Sequence, residues 1–399
     1  MLSTDALNNL IQPFIDRQTY ISEYIIQLIA ERVKEIGTIP PSDIYKIDNL
    51  MRNGADIRKI QKELARITGL QLTDIKNILN TVALDSYMDS KIFYQFRGID
   101  FIPFQDNIEL QRIVSAIAKQ TQDAYLNLAK AQAFMLRDPA GNLVPTNVSK
   151  TYYTVLDKAI QATQQGTVDY HTAIRNTLIQ LNDSGLQGVW YNTPSGGIYH
   201  QRLDTAVRRN ILDGVRAINQ GVQDEVGKQF GADGKEITVH ANSAPDHEPI
   251  QGHQFTNEEF EKLQSEEAFE DTWGNKFAPI RRSIGVWNCR HFTFSIIVGV
   301  TSPNYTQEQL NQMIEKNQKG YTAKDGKHYT MYQCTQMQRN YELRIRKAKE
   351  GYVMADKSGD EQLKQKYKSE IAEQFKQYKM FSNACGLKVK GEKTQVLGY

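Results

Sequence analysis

A chain of 399 residues with 40% hydrophobic, 24% charged and 10% aromatic side chains has the composition of an ordinary soluble protein, with room for roughly two to four domains. Its longest strongly apolar run, Phe292 to Val300, falls far short of the roughly 20 residues that cross a bilayer, which argues against a membrane partner. Three widely spread cysteines and an acidic rather than basic N-terminal stretch (M-L-S-T-D) argue against a disulfide framework and a secretory leader, and for assembly in a reducing cytoplasm.

The first third reads as helical. Leu7, Leu10, Ile11, Phe14, Ile15, Ile25, Ile26 and Ile29 recur at three- and four-residue spacing, with Pro13 marking a helix start or kink. Pro40 and Pro41 break the segment, and Ser42 is placed to cap the next helix. Two short helices are expected after this break. One covers Ala55 to Thr68 and is stopped by Gly69 in the left-handed conformation; the other starts at Thr73 and carries Ile75, Ile78, Leu79 and Val82. A further helix is expected over Ile108 to Ala133. The stretch R-D-P-A-G-N-L-V-P-T-N, Arg137 to Asn147, reads as a loop and a domain boundary. Helices resume at Lys150 and run to Leu181. The string G-V-W-Y-N-T-P-S-G-G-I-Y-H then reads as a β-hairpin. After it, a helix is expected over 202–219, with an apolar face of Leu203, Val207, Ile211, Val215 and Ile218.

From Gly231 to Val300 the pattern turns to α+β, with an expected strand over Glu236 to His240, a helix over Thr256 to Leu263 and a strand over His291 to Val300. Pro303 and Asn304 close this module. Helices are expected again over Gln307 to Lys319, Tyr329 to Lys349 and Asp360 to Tyr378. The fold class is therefore mainly α with a small α+β module. The expected division is a helical region 1–136, a helical region 148–230 with a hairpin near 188–200, the module 231–302, and a basic helical C-terminal arm 303–399. Residues 301–399 hold 18 Lys or Arg against 11 Asp or Glu, whereas the preceding 300 residues hold 30 against 35. That imbalance is compatible with an acidic partner, and equally with solvated lysine-rich helices.

Four of the seven histidines and one of the three cysteines fall between residues 240 and 291. They sit in H-A-N-S-A-P-D-H, His240 to His247, and in W-N-C-R-H, Trp287 to His291. Imidazole and thiolate bind transition metals and move protons near neutral pH. At the start of a strand, Cys289 and His291 would share a face, and with His240 and His247 they make a candidate zinc site. The spacing lacks C-x-x-C and H-E-x-x-H, which favours a hydrogen-bonded polar knot that pins the 248–288 insertion. A thiol or metal-assisted catalytic reading stands third, because no carboxylate is visibly placed to orient a histidine and Cys289 precedes an apolar strand. No residue is assigned a catalytic role.

Two basic sets are candidate partner or phosphate contacts. Arg202, Arg209 and Arg216 lie seven apart, as on one helix face. Arg339, Glu342, Arg346 and Lys349 form a charged ladder of expected Arg339–Glu342 and Glu342–Arg346 pairs, with Met337, Tyr341, Ile345 and Ala348 on the apolar face. A solvent-facing, salt-bridged helix is the plainer reading of the ladder.

The ordered set of motifs resembles the Mu F-like head morphogenesis proteins of tailed phages, in particular the branch called phage minor capsid protein 2. The set is the hairpin, L-D-T-A-V-R-R-N-I-L-D-G-V, H-A-N-S-A-P-D-H-E-P-I-Q-G, W-N-C-R-H and Q-R-N-Y-E-L-R-I-R-K-A-K. His240, Pro245, His247, Gln251, Gly252, Asn288, Cys289, Arg290 and His291 match the family's signature. Ala244 stands where the family usually has an arginine, and Ser295 where it often has a proline. The resemblance implies a Mu F-like domain with extended helical arms. It also implies a non-enzymatic virion protein of the phage head, associated with the portal vertex and capsid interior and acting in head assembly or genome delivery. The implied partners are the portal protein and the major capsid protein, with packaged double-stranded DNA as a further candidate and no small-molecule substrate. The competing function is a metal-dependent or thiol enzyme, nuclease or toxin-like, carried in the virion. No cofactor is expected unless the cluster holds zinc.

Overall fold

A computed structural model describes residues 4–38, 47–91, 94–95, 98–164, 170–265, 268–280, 283–285, 289, 291–396 and 398–399. Pro40, Pro41 and Ser42 lie outside them. The helices are α1 (Thr4–Thr38), α2 (Ile47–Asp89), α3 (Ile108–Lys130), α4 (Val148–Gln164), α5 (Tyr170–Ser184), α6 (Leu203–Phe230), α7 (Asn257–Gln264), α8 (Gln307–Lys319), α9 (Met331–Ser358) and α10 (Glu361–Ala384). The strands are β1 (Ala133–Arg137), β2 (Leu143–Asn147), β3 (Gln187–Asn192), β4 (Ile198–Arg202), β5 (Gly234–Ile237), β6 (Gln254–Thr256), β7 (Phe269–Glu270), β8 (Lys276–Phe277), β9 (Thr293–Ile296), β10 (Tyr321–Thr322) and β11 (His328–Tyr329). The described residues are 65% helical with small antiparallel sheets, so the fold is mainly α with a small α+β module. They form two compact units, 1–12 with 72–124 and 209–336, and 13–71 with 125–208 and 337–399.

Helix α1 continues through Pro13, where a start or kink is expected. A proline inside a helix costs about 3 kcal/mol. Leu7, Ile11, Phe14 and Ile15 are buried on both sides of it, and each contributes about 1.5–3 kcal/mol by leaving water. Helix α2 likewise replaces the two expected short helices. Gly69 is not in the left-handed region, and the helix runs on through Thr73. The buried stripe Ile57, Ile60, Ile67, Ile75, Leu79 and Val82 outweighs the loss of about 1 kcal/mol from one interior glycine.

The unit built from 13–71, 125–208 and 337–399 holds a four-stranded antiparallel sheet in the order β2-β1-β3-β4. The stretch 137–147, expected as a loop, is the turn and second strand of a hairpin, and the preceding helix stops at Lys130 so that Ala133 opens β1. Asp138 organises the turn by accepting from the Asn142 N–H at 2.8 Å. Pro145 is tolerated because β2 is an edge strand. The second hairpin, β3–β4, forms where the sequence places it.

In the same unit the ladder of α9 faces solvent at Arg339, near Glu342, whereas Arg346 and Lys349 have partners other than those expected. Arg346 pairs with Asp204 at 3.5 Å and Glu350 at 4.0 Å and donates to Thr19 Oγ1 at 2.7 Å. Arg202 forks onto both Glu350 oxygens at 3.2 and 3.3 Å and lies 3.7 Å from Asp204. Glu342 accepts from the Tyr378 hydroxyl at 2.9 Å. Lys349 is buried and lies over the Tyr399 ring at 4.7 Å. Burial pushes the Asp204 carboxyl up, but Arg202 and Arg346 outweigh it and hold the group below the ordinary carboxylate range. Helical pitch is legible in the sequence; partners on other segments are not.

In the unit built from 1–12, 72–124 and 209–336, α6 packs closely on α3. A Cβ at Gly214 would meet Thr121 Oγ1 at 2.5 Å, so only glycine allows this approach. Asn219 of α6 donates to Ser86 of α2 at 3.0 Å. Strands β6-β5-β9 form an antiparallel sheet, with Gly234 opposite both Thr256 and Ile296. Strands β5 and β9 are both shorter than expected, because β5 ends at Ile237 and β9 opens at Thr293. Beneath the sheet, Ile237, Ile250, Phe255, Phe260, Leu263, Phe277 and Ile280 form a core that α7 covers. Thr256 caps α7 in a reciprocal capping box with Glu259.

Candidate functional site

The histidine–cysteine cluster lies where β5 runs out. Beyond Ile237 the chain stays tied to its neighbours: Thr238 N–H donates to Phe292 O at 2.9 Å, and Gly252 N–H to Ile237 O at 2.8 Å. The residues between, 238–252, therefore form a loop anchored at both ends. Asn242 adopts φ 57°, a left-handed conformation that asparagine tolerates. From Ala244 the loop coils, with the carbonyl of Ala244 accepting from His247 at 2.9 Å and Glu248 at 2.8 Å. Pro245, exposed at the head of that coil, has no N–H to lose there. Gly252 ends it at φ 75°, where a Cβ would meet Leu310 at 2.5 Å and Val239 at 2.9 Å.

Three side chains meet inside. Cys289 Sγ lies 3.4 Å from His247 Nδ1 and 3.4 Å from His291 Nδ1. The His291 backbone N–H also donates to the sulfur at 3.4 Å. All three residues are buried, at 1% exposure for each histidine and 3% for Cys289. Around them, His291 Nε2 faces Gln251 Oε1 at 3.3 Å and Ser243 Oγ at 3.4 Å, and His247 Nε2 lies 3.7 Å from Asp246. Burial raises the Cys289 thiol, but His247 and the backbone of Gly285 and His291 outweigh it, so the net shift is downward.

His240 stands at the rim. Its ring lies against His291 with centroids 4.2 Å apart and planes tilted by 34°, its Nδ1 lies 3.2 Å from Ala241 O, and its backbone N–H donates to Gln251 Oε1 at 3.2 Å. The atoms able to ligate one ion come from His247, Cys289 and His291, which lie within 4.8 Å of one another. Cys289 and His291 do not share a strand face, since both precede β9, which opens at Thr293. Asn288 and Arg290 lie outside the described residues.

Ser243 and Glu248 also contribute, although nothing in the sequence singles them out strongly. Glu248 receives Asn317 Nδ2 at 2.5 Å and Gln318 Nε2 at 2.8 Å, which fixes the coil to α8. Ser243 carries only the weak signal of a small polar residue in a proline-containing loop. Arg216 is buried and donates to Gly285 O at 3.1 Å and Asp213 at 3.2 Å, so it ties Gly285 to α6. Arg202 lies in β4 rather than on α6, which removes the expected common face with Arg209 and Arg216. Arg209 is half-buried near Asp213, and Arg339 is exposed near Glu342.

A sequence-family profile described as "Phage minor capsid protein 2" matches residues 2–383. The chain belongs to the phage minor capsid protein 2 family. The match takes in most of both compact units and every residue of the cluster. Membership gives a structural role in a phage particle. No curated protein and no solved structure matches the chain. Among the described residues, no helix is long and apolar enough to cross a membrane.

Proposed function

We propose that this minor capsid protein is a non-enzymatic component of the phage head, bound at the portal vertex on the capsid interior and acting in head assembly or genome delivery. The observation that carries the reading is the family match over residues 2–383. The buried cluster supports it. With exposures of 1–3%, His247, Cys289 and His291 tie a loop to the start of a strand and offer no open face to a substrate. A nucleophilic thiol needs such access.

The portal and major capsid proteins are the proposed partners, and the C-terminal helices the proposed contact. Arg346 and Arg202 are engaged internally. The exposed cations of this region include Arg339 and Arg344 on α9 and Lys376 and Lys379 on α10. Contact with portal protein would bury apolar anchors and resist salt. Contact with packaged DNA would be sequence-independent and weaken steeply with salt. The test is co-purification of portal with the full chain and with a variant carrying Gln at those four positions, at low and high salt. Reduced portal recovery for the variant supports the contact; equal recovery at both salts removes it. For the function, His247→Ala and Cys289→Ala are compared for folding, entry into heads and any activity of the particles. Normal incorporation with loss of an activity would overturn the structural reading.

A further inference from the structure

We propose that His247, Cys289 and His291 bind one zinc-class divalent cation, through Nδ1, Sγ and Nδ1. The distances fit. Tetrahedral zinc with bonds of about 2.3 Å to sulfur and about 2.0–2.1 Å to nitrogen has sulfur–nitrogen edges of about 3.5 Å, and both edges here are 3.4 Å.

The proton count around the cluster points the same way. Gln251 Oε1 accepts the His240 backbone N–H at 3.2 Å, so that atom is the amide oxygen, and it can only accept. His291 Nε2, 3.3 Å away, must therefore carry the ring proton. In that tautomer His291 presents its Nδ1 lone pair to the sulfur. His247 is turned the same way, with Nε2 toward the Asp246 carboxylate at 3.7 Å and Nδ1 toward the sulfur at 3.4 Å. The sulfur also receives the His291 N–H at 3.4 Å, which suits a thiolate. Two ring nitrogens and a sulfur thus converge in a buried space. A single cation serves all three.

The surrounding groups are those that orient metal-binding imidazoles. An oxygen faces the far nitrogen of each ring: Gln251 Oε1 at 3.3 Å from His291 Nε2, and Asp246, farther off at 3.7 Å, from His247 Nε2. Binding displaces the thiol proton, leaving a net charge of +1 at the centre beside Asp246. His240 is outside the ligand set, because its ring lies over His291 and its Nδ1 faces Ala241 O at 3.2 Å. The cation would clamp the 243–252 coil to the start of β9, and so close the long excursion between them.

The test is the metal content of the purified full-length chain by plasma mass spectrometry, together with the spectrum of the chain refilled with cobalt(II). About one zinc per chain is expected to survive gel filtration, and cobalt should give a thiolate charge-transfer band with tetrahedral d–d absorption. Cys289→Ser should remove that band and most of the metal. Cys334→Ser, at a buried thiol elsewhere, and His240→Ala should keep both. If Cys289→Ser does not fold, the wild-type zinc content and cobalt spectrum decide alone. A folded wild-type chain holding less than about a tenth of an equivalent, with no cobalt–thiolate band, would overturn the proposal and leave a proton shared between thiolate and imidazole. Loss of metal from His240→Ala would overturn the three-residue assignment.

Discussion

Replacing Asp204 by Asn tests whether the arginines of β4 and α9 are held for the fold. Asp204 is 7% exposed in its side chain and lies between Arg202 at 3.7 Å and Arg346 at 3.5 Å. Asparagine keeps the shape and the acceptor for the Thr205 N–H, which Asp204 receives at 2.7 Å, so the change removes charge and little else. At these separations each attraction is worth about 4–5 kcal/mol at an effective dielectric near 20, before the cost of desolvation is set against it. Removing one member of a buried pair costs about 3–5 kcal/mol, because the remaining charges stay buried without compensation. The partial exposure of Arg202 (26%) and Arg346 (15%) admits some water, so the lower end, about 3 kcal/mol, is expected. Urea unfolding gives the global change, and hydrogen exchange over 337–358 gives the local one. Glu258→Gln serves as the control. Its partner Lys262 is 54% exposed and Glu258 itself 78%, and such a pair is worth less than about 1 kcal/mol. A loss below about 1 kcal/mol for Asp204→Asn by both measurements would refute the reasoning and return Arg202 and Arg346 to the pool of partner-binding cations.

Three further outcomes rest on named contacts. Gly252→Ala should cost about 2 kcal/mol or more in denaturant unfolding, since it combines φ 75° with a Cβ 2.5 Å from Leu310; a neutral result would show that the coil relaxes freely. Tyr378→Phe leaves Glu342 Oε1 and the Lys390 N–H without the hydroxyl that serves both at 2.9 and 2.8 Å, so a loss of about 2 kcal/mol is expected, and one under about 0.5 would contradict that role. His253 is pushed below its ordinary pKa of 6.5, chiefly by burial and against the pull of Asp271. The unfolded chain then binds more protons there than the folded chain, so this contribution to stability is intact above about pH 6.5 and is lost as pH falls below it. His253→Phe should therefore gain on the wild type between pH 7.5 and 5.5 in thermal melts, and a constant difference would exclude the effect.

How much of this architecture is legible in the sequence depends on how local its causes are. The β3–β4 hairpin and α8 are written in neighbouring residues, the first by a Pro-Ser-Gly-Gly turn and the second by Thr306 capping onto Gln309. The β1–β2 hairpin is hidden because Pro145 and the Asp-Pro and Gly-Asn pairs read as loop, whereas an edge position makes that proline harmless. Gly69 reads as a stop and Pro13 as a start or kink, yet the buried stripes of α1 and α2 carry the helix past them. At the cluster, residue type is the whole signal. It singles out His247, Cys289 and His291, but it cannot separate His240, whose position at the rim depends on the turn at Asn242. Ser243, Glu248 and Arg216 act through contacts 48, 69 and 69 residues away, and no periodicity in a single sequence encodes those.

The most direct test of the central claim is quantitative mass spectrometry of purified, DNA-filled heads from a phage encoding this chain. The account predicts the intact chain in every preparation, at a small fraction of the major capsid protein and enriched in fractions that retain the portal vertex. Infectious, normally filled heads that lack the chain altogether would contradict it.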